Sequence, residues 1–314
     1  MRVLRNISEL KTLPGPVALA AGVFDGVHPG HQEVIRAALE HTRLHGGTAV
    51  VMTFDPHPAR VLRPAQAPKL LCSTAHKLDI IRRLGVGSVL VFPFDVAFSR
   101  IEARDFVKSL AGSCRPLGFV SVGHSWRFGH GGRGDIHLLM DLGAELGFCV
   151  HGVPPVRVGG QVVSSTLIRE AVGAGDLQRA GLLLGRPYTV MGTVVQGRRL
   201  GRTIGFPTAN LDVHSEQLPP AGVYVMEALL ADGARCRGVA NLGHRPTVAT
   251  DDNGLSLELH LFDFDRDIYG QEVEVEFLHH IREEKKFPGL DALREQIAKD
   301  AAFARAFQDG GGLR

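Results

Sequence analysis

The chain is predicted to fold as an α/β doubly wound domain followed by a small antiparallel β-barrel that ends in one helix. Three observations lead there. Short apolar runs alternate with helix-length amphipathic stretches over the first half, and strand-like runs follow one another after Gly185-Arg186-Pro187. The length of 314 residues suits two domains, at about 150 residues each. We place the boundary at about 185, giving domains 1–185 and 186–314. With 44% hydrophobic and 22% charged residues, disorder is excluded, and a net charge of +2 gives no reason to expect a nucleic-acid partner.

The elements follow in order. Val17 to Val23, Thr48 to Phe54, Ser88 to Phe94, Phe119 to Val122 and Phe148 to Val153 read as buried strands. Between them His31 to His45, Thr74 to Leu84, Glu102 to Leu110 and Asp135 to Leu146 carry apolar residues at helical spacing. Such alternation implies βαβ units and a parallel sheet, whose ligands sit beyond the carboxyl ends of the strands. After the boundary come Tyr188 to Val195, Val223 to Leu230, Arg235 to Ala240, Ser256 to Phe262 and Glu272 to Leu278. Asp232-Gly233 is a hairpin signal, and only Leu290 to Phe307 reads as a helix in this half.

Arg2, Arg5 and Ala18-Leu19-Ala20 loosely imitate a secretory signal, but Asn6, Glu9, Lys11, Pro14 and Pro16 break any apolar core. No run approaches the ~20 apolar residues of a membrane span. Cys72, Cys114, Cys149 and Cys236 form no CxxC pair and read as thiols in a reducing compartment. The expectation is a soluble cytoplasmic protein without a membrane or nucleic-acid partner; its oligomeric state is open.

Two segments of the first half carry chemistry. Phe24-Asp25-Gly26-Val27-His28-Pro29-Gly30-His31 follows the first strand and opens the first helix. Glycines there, Gly22 and Gly30 among them, let backbone approach a ligand, and a helix N-terminus favours an anion. His28 and His31, three residues apart, can face one phosphate together and stabilise charge on a transferring group. Surface histidines capping a helix are the plainer alternative. Ser164-Ser165-Thr166-Leu167-Ile168-Arg169 adds hydroxyls at a helix start and a guanidinium fork one turn later; simple capping is the alternative.

In the second half, Gly201-Arg202-Thr203-Ile204-Gly205-Phe206-Pro207-Thr208-Ala209-Asn210 is the strongest signal. It is no Walker loop, since GxxxxGK[ST] occurs nowhere. Gly201 and Gly205 allow close phosphate contact, while Thr208 and Asn210 place two hard oxygens on one face of an extended segment. Magnesium needs few protein ligands beside water and phosphate. A Gly/Pro-rich loop with a local Asn turn is the alternative.

The HxGH and SSTxxR pair resembles the nucleotidylyltransferase superfamily. With GVFDGVHPGH and Phe54-Asp55-Pro56-His57-Pro58, the first half is similar to the FMN adenylyltransferase module of prokaryotic bifunctional riboflavin kinase/FAD synthetases. GRTIGFPTANL, Gly222-Val223-Tyr224, GVANLG, Arg245-Pro246-Thr247, LELHLFDF and Asp267-Ile268-Tyr269-Gly270 resemble the riboflavin kinase half of that family. The resemblance implies two ATP-dependent reactions, riboflavin to FMN with release of ADP, then FMN to FAD with release of pyrophosphate, each with Mg²⁺. It implies that His28, His31, Gly22, Phe24 and Gly30 serve ATP in the first site, and that Ser164, Thr166 and Arg169 lie near its β- and γ-phosphates. His57 and Pro58 then border the cleft. Thr208 and Asn210 would hold Mg²⁺–ATP in the second site, with Gly201 and Gly205 at its phosphates and Glu258 as base on the ribityl hydroxyl; an exposed strand glutamate is the alternative.

One position departs from the family pattern. Ser125, within Gly123-His124-Ser125-Trp126-Arg127-Phe128-Gly129, stands where that pattern has Asn or Asp, and a hydroxyl reaches less far than a carboxamide. Trp126 next to it reads either as a stacking platform for flavin or adenine, or as a core aromatic. Ser125 keeps a second reading open, a monofunctional riboflavin kinase with a weak nucleotide-binding first domain. A non-catalytic flavin carrier is a third, and two full phosphate constellations argue against it.

Overall fold

In the computed structural model, residues 1–197, 201, 205–214, 216–244 and 255–308 are described. They form two compact units, Met1–Pro68 with Thr74–Ser165, and Lys69–Ser73 with Thr166–Arg314.

The first unit is built on a parallel sheet of six strands: β1 (Arg2–Leu4), β2 (Val17–Ala21), β3 (Thr48–Asp55), β4 (Ser88–Pro93), β5 (Leu117–Gly123) and β6 (Cys149–Val153). Their order is β1-β4-β3-β2-β5-β6. The helices are α1 (Pro29–His45), α2 (Pro58–Leu62), α3 (Thr74–Arg83), α4 (Ala103–Gly112) and α5 (Ile136–Leu146). The run VALAA of β2 is buried at every position, as a central parallel strand covered on both faces requires. α1 packs on β2, β3 and β5. Leu19, Met52, Leu90 and Val120 instead join Phe106 and Val107 of α4 and Leu139 and Leu142 of α5 in one core cluster. Each of these side chains contributes about 1.5–3 kcal/mol on full burial. Asp135 caps α5 by accepting from Leu138 N at 3.1 Å, and Gly147 ends it in the left-handed region. The chain runs from β2 outward to β3 and β4, then crosses back to β5 on the other side of β2. The β2–β5 gap is therefore the switch point, where such sheets open a ligand crevice.

A small hairpin, β7 (Arg157–Val158) and β8 (Gln161–Val162), precedes α6 (Ser165–Gly173) and α7 (Leu177–Leu184). In the second unit six antiparallel strands close a barrel in the order β10-β13-β12-β11-β14-β9. They are β9 (Thr189–Val195), β10 (Ala209–Val213), β11 (Gly222–Leu229), β12 (Arg235–His244), β13 (Leu255–Leu261) and β14 (Glu272–Arg282). The helix α8 (Leu290–Ala306) packs against β12 and β11. At the predicted hairpin Gly233 adopts φ +86°, and Asp232 accepts from Ala234 N at 2.9 Å.

The doubly wound sheet, the barrel and the final helix follow the sequence reading. It missed β1, α2, the β7–β8 hairpin, α7 and β10. β10 lies within the GRTIGFPTANL signature, where glycine and proline hide a strand that pairs with β9 and β13. The compact units divide after Ser165, upstream of residue 185, and Lys69–Ser73 joins the second. That segment is held there by hydrogen bonds: Ser73 N donates to the buried Glu216 carboxylate at 2.7 Å, and Arg169 Nε donates to Lys69 O at 2.8 Å.

Candidate active sites

In the first unit the loop from Gly22 to His28 leaves β2 at the switch point and enters α1. Its backbone is unusual: Phe24 (φ +54°) and Val27 (φ +42°) both take left-handed conformations, beside Gly26 at φ +78°. For a β-branched or bulky side chain this costs about 1–3 kcal/mol per residue, and such strain gathers at functional sites. Both side chains are fully buried, which anchors the bend. His28 occupies the N-cap of α1 but makes no side-chain capping bond there, and only 7% of it is exposed. The reading of two surface capping histidines is thereby set aside. Instead the His28 and His31 rings stack with centroids 3.6 Å apart, and Phe24 meets His31 edge-on at 5.3 Å. Gly30 makes this stack possible, because a Cβ there would stand 3.2 Å from the His28 ring; at Gly22 one would stand 3.0 Å from the Phe24 ring. Two imidazoles held face to face at a helix N-terminus form a compact donor pair for an anion.

Within the first unit, Ser165 Oγ donates to Asp25 O at 2.9 Å, which ties Ser165 to the histidine loop. Ser164 is half-buried just before α6. Thr166, exposed, and Arg169 lie on α6 in the second unit. His57 caps α2, its Nδ1 accepting from Ala59 N at 3.1 Å, so the ring proton belongs on Nε2. Pro58 takes the first position of that helix. Beyond β5, Ser125 is exposed, while Trp126 stacks on buried Phe128 with centroids 4.6 Å apart and packs at the edge of the core. Phe54, Phe94, Phe98, Phe106 and Phe128 continue the aromatic contacts across the carboxyl-end side.

In the second unit Asn210 of β10 lies directly opposite Glu258 of β13, and Glu258 directly opposite Asn241 of β12. Cross-strand partners point to the same face, so three polar side chains stand in a row there, between the inward Leu257 and Leu259. Glu258 is half-buried and Asn210 nearly buried, so the plain exposed-glutamate alternative fails. Gly197 lets the Asn210 carboxamide lie against backbone, since a Cβ would overlap it. At Gly201 a Cβ would overlap Phe206 O, and Thr208 Oγ1 would be 3.3 Å away. Phe206 N donates to Gly201 O at 2.8 Å, closing the signature into a tight bend, with exposed Gly205 at φ +86°. Arg202, Thr203 and Ile204, and Arg245-Pro246-Thr247, lie outside the described residues.

Two cavities flank this bend. One of about 480 Å³ is lined by Thr208, Leu259, Leu261 and the segment Phe264–Tyr269, the size of a nucleotide site. Another of about 360 Å³ is lined by Gly205, Phe206 and the α8 residues Asp291, Arg294, Glu295 and Ala298. Among the described residues no cluster of three or more His, Cys, Asp or Glu could hold a metal. The Thr208 and Asn210 oxygens suit Mg²⁺ that arrives with nucleotide phosphates and keeps water.

Sequence reasoning overlooked Asn241, whose place in the row only strand register reveals, and Lys77, which is buried at the root of the histidine loop. The signal for Lys77 was available: it shares the apolar face of α3 with Ile80 and Ile81, where a lysine is out of pattern.

A parallel sheet with an anion-suited histidine pair at its switch point, joined to a six-stranded barrel with an Asn–Glu pair, defines a two-module transferase of the nucleotidyl-transfer and flavokinase type. The FAD synthetase family model matches residues 11–167, and the riboflavin kinase model matches residues 184–308. A bifunctional riboflavin kinase/FMN adenylyltransferase of Haemophilus influenzae is 39% identical, with 98% of this chain and 99% of that protein covered. One from Escherichia coli is 38% identical, with 98% of each covered. A crystal structure described as a macrolide-efflux protein from Streptococcus pneumoniae superposes with TM-score 0.81 at 32% identity, covering 98% of this chain and 99% of that one. The chain belongs to the bifunctional riboflavin kinase/FMN adenylyltransferase family. Among the described residues no helix is long and apolar enough to cross a membrane.

Proposed function

We propose that the chain makes FAD from riboflavin in two ATP-dependent steps. The carrying observation is that one chain mounts both signatures in built form, the stacked His28–His31 pair and the Asn210–Glu258 register pair.

In the kinase step Glu258 accepts the proton of the ribityl 5′-hydroxyl, whose oxygen takes the γ-phosphoryl group as ADP leaves. The register pair supports this, because it places a carboxylate beside the proposed metal ligand. Thr208 and Asn210 would hold Mg²⁺, which when bound neutralises charge on the phosphates. The cavity beside Thr208 suits ATP, and the one between Gly205–Phe206 and α8 suits the flavin. Gly201 and Gly205 shape the bend between them.

In the second step a phosphate oxygen of FMN attacks the α-phosphorus of ATP, and the bond to pyrophosphate breaks. His28 and His31 stabilise the developing charge, with Phe24, Gly22 and Gly30 shaping their stack. Ser164, Thr166 and Arg169 are assigned to the β- and γ-phosphates on resemblance alone. His57, Pro58, Ser125 and Trp126 are assigned to the flavin side of the cleft. The functional boundary belongs near residue 185, a reading supported by the start of the riboflavin kinase match at residue 184. We place the protein in the cytoplasm, which suits its four unbridged cysteines.

The test incubates the protein with riboflavin, ATP and MgCl₂ and resolves FMN, FAD and pyrophosphate. FAD and pyrophosphate in equal amounts, after FMN, are expected. FMN alone would identify a monofunctional kinase, and no product would identify a carrier.

A further inference from the structure

Lys77 is only 5% exposed. An ammonium taken so deep needs acceptors, and two backbone carbonyls serve. Nζ lies 3.2 Å from Val23 O and 3.5 Å from Phe54 O, spanning the carboxyl ends of β2 and β3. The same Val23 oxygen accepts from Thr53 Oγ1 at 2.9 Å. Further along the loop, Asp25 O accepts from Ser165 Oγ at 2.9 Å and Val27 O accepts from Gln32 Nε2 at 3.0 Å. Alternate carbonyls of the histidine loop are thus each gripped by a side chain. A trans peptide is planar, so fixing its oxygen on one side turns the next N–H to the other. The left-handed Phe24 and Val27 would relax to commoner conformations unless the surroundings held them.

We propose that Lys77 is the positioning residue of the adenylyl-transfer loop. Together with Thr53 it holds the Val23 carbonyl away from the reacting phosphates and keeps the Val23–Phe24 peptide in the bend that delivers His28 and His31. This rests on the adenylyl-transfer reading above. Released from the ammonium, the carbonyl dipole would be able to swing toward charge that develops on the leaving pyrophosphate and oppose it.

The experiment uses the full chain with supplied FMN, ATP and MgCl₂, and follows FAD with riboflavin phosphorylation as a parallel readout. Lys77→Met keeps the stem and removes charge and donors; Thr53→Val removes the second donor on the same oxygen. Lys77→Met should lower kcat for FAD formation about tenfold or more, the scale of a mispositioned reacting group, with KM for FMN and kinase activity nearly unchanged. Thr53→Val should lower kcat about threefold or more, and the double variant should lose less than the product of the singles, as partners on one oxygen do. FAD formation within twofold of wild type in both single variants would overturn the proposal. So would equal loss of both activities in Lys77→Met, which would make the lysine a stability element only. Should Lys77→Met fail to fold, Thr53→Val decides: an unchanged kcat overturns the proposal. A wild-type chain that makes no FAD sinks the adenylyl-transfer reading instead, a result distinct from all of these.

Discussion

The two proposed sites handle charge differently at the level of single residues. His28 and His31 present two stacked rings 3.6 Å apart, whereas Glu258 sits opposite the Asn210 amide across a strand pair. Removing His31 takes one donor from the transferring group, so His31→Ala should lower FAD formation about 10²-fold and leave FMN formation intact. Glu258→Gln should do the reverse, abolishing FMN formation while supplied FMN is still adenylylated; chromatography of the two products checks both. Gly30 offers a subtler test. A Cβ 3.2 Å from the His28 ring must tilt it, so Gly30→Ala should slow adenylyl transfer while kinase activity and melting temperature stay close to wild type. Ser125 is exposed on its loop, and the longer Ser125→Asn side chain should raise kcat/KM for FMN adenylylation, up to about tenfold for ~1.4 kcal/mol.

Among the elements, α8 is fastened to the barrel by a nearly buried ion pair. Arg282 of β14 donates to both oxygens of Asp300, to Oδ2 at 2.8 Å from Nη2 and to Oδ1 at 3.2 Å from Nε, and Gln296 Nε2 donates to Oδ1 at 2.9 Å. Asp300 is 3% exposed, so Asp300→Ala strands a guanidinium in a half-dry place. That should cost about 3 kcal/mol of barrel stability, read as an earlier urea midpoint for loss of kinase activity than for loss of adenylylation. α8 also lines the 360 Å³ cavity with Arg294 and Glu295, so the same variant should weaken flavin binding. The elements themselves were largely readable. Short continuous apolar runs and helical spacing located the strands and helices of the parallel sheet, because its strands are buried on both faces and its helices on one. β10 was not readable, since its residues also serve the signature bend and carry turn chemistry.

For the molecule as a whole, burial raises two weak acids, one in each unit. The Cys114 thiol is pushed up to about 12 from 9.0, and the Tyr224 phenol up to about 12 from 10.0. Each stays protonated in the fold while its unfolded counterpart ionises, so its contribution is complete below the unfolded value and is lost as pH rises toward 12. Thermal inactivation of adenylylation should therefore steepen from about pH 9 and that of the kinase from about pH 10, from these two unfolded values. Cys114→Val and Tyr224→Phe should each flatten the slope of their own unit; a slope unchanged in both would place the alkaline sensitivity elsewhere. A fragment beginning at Arg186 should fold and phosphorylate riboflavin, but with a lower melting temperature than the barrel has in the full chain. It lacks Lys69–Ser73, so the 2%-exposed Glu216 loses the Ser73 N–H and keeps that of Met191. Taking one donor from a buried carboxylate costs about 1–3 kcal/mol.

By itself the sequence determined the fold class, a parallel α/β sheet followed by an antiparallel barrel and a final helix, and it singled out the candidate site residues, because these depend on local spacing and on short motifs. His28, His31, Thr208, Asn210 and Glu258 are all legible in that way. Tertiary structure alone decided what those residues face. Strand order put the histidine loop at the switch point, register set Glu258 between Asn210 and Asn241, and packing drew Lys77 under Val23 from 54 positions away. Packing also assigned Lys69–Ser73 to the second unit, through a glutamate 143 positions distant. The reason is physical: periodicity records which face of an element is buried, but the partner across that face is chosen only when distant segments close over it.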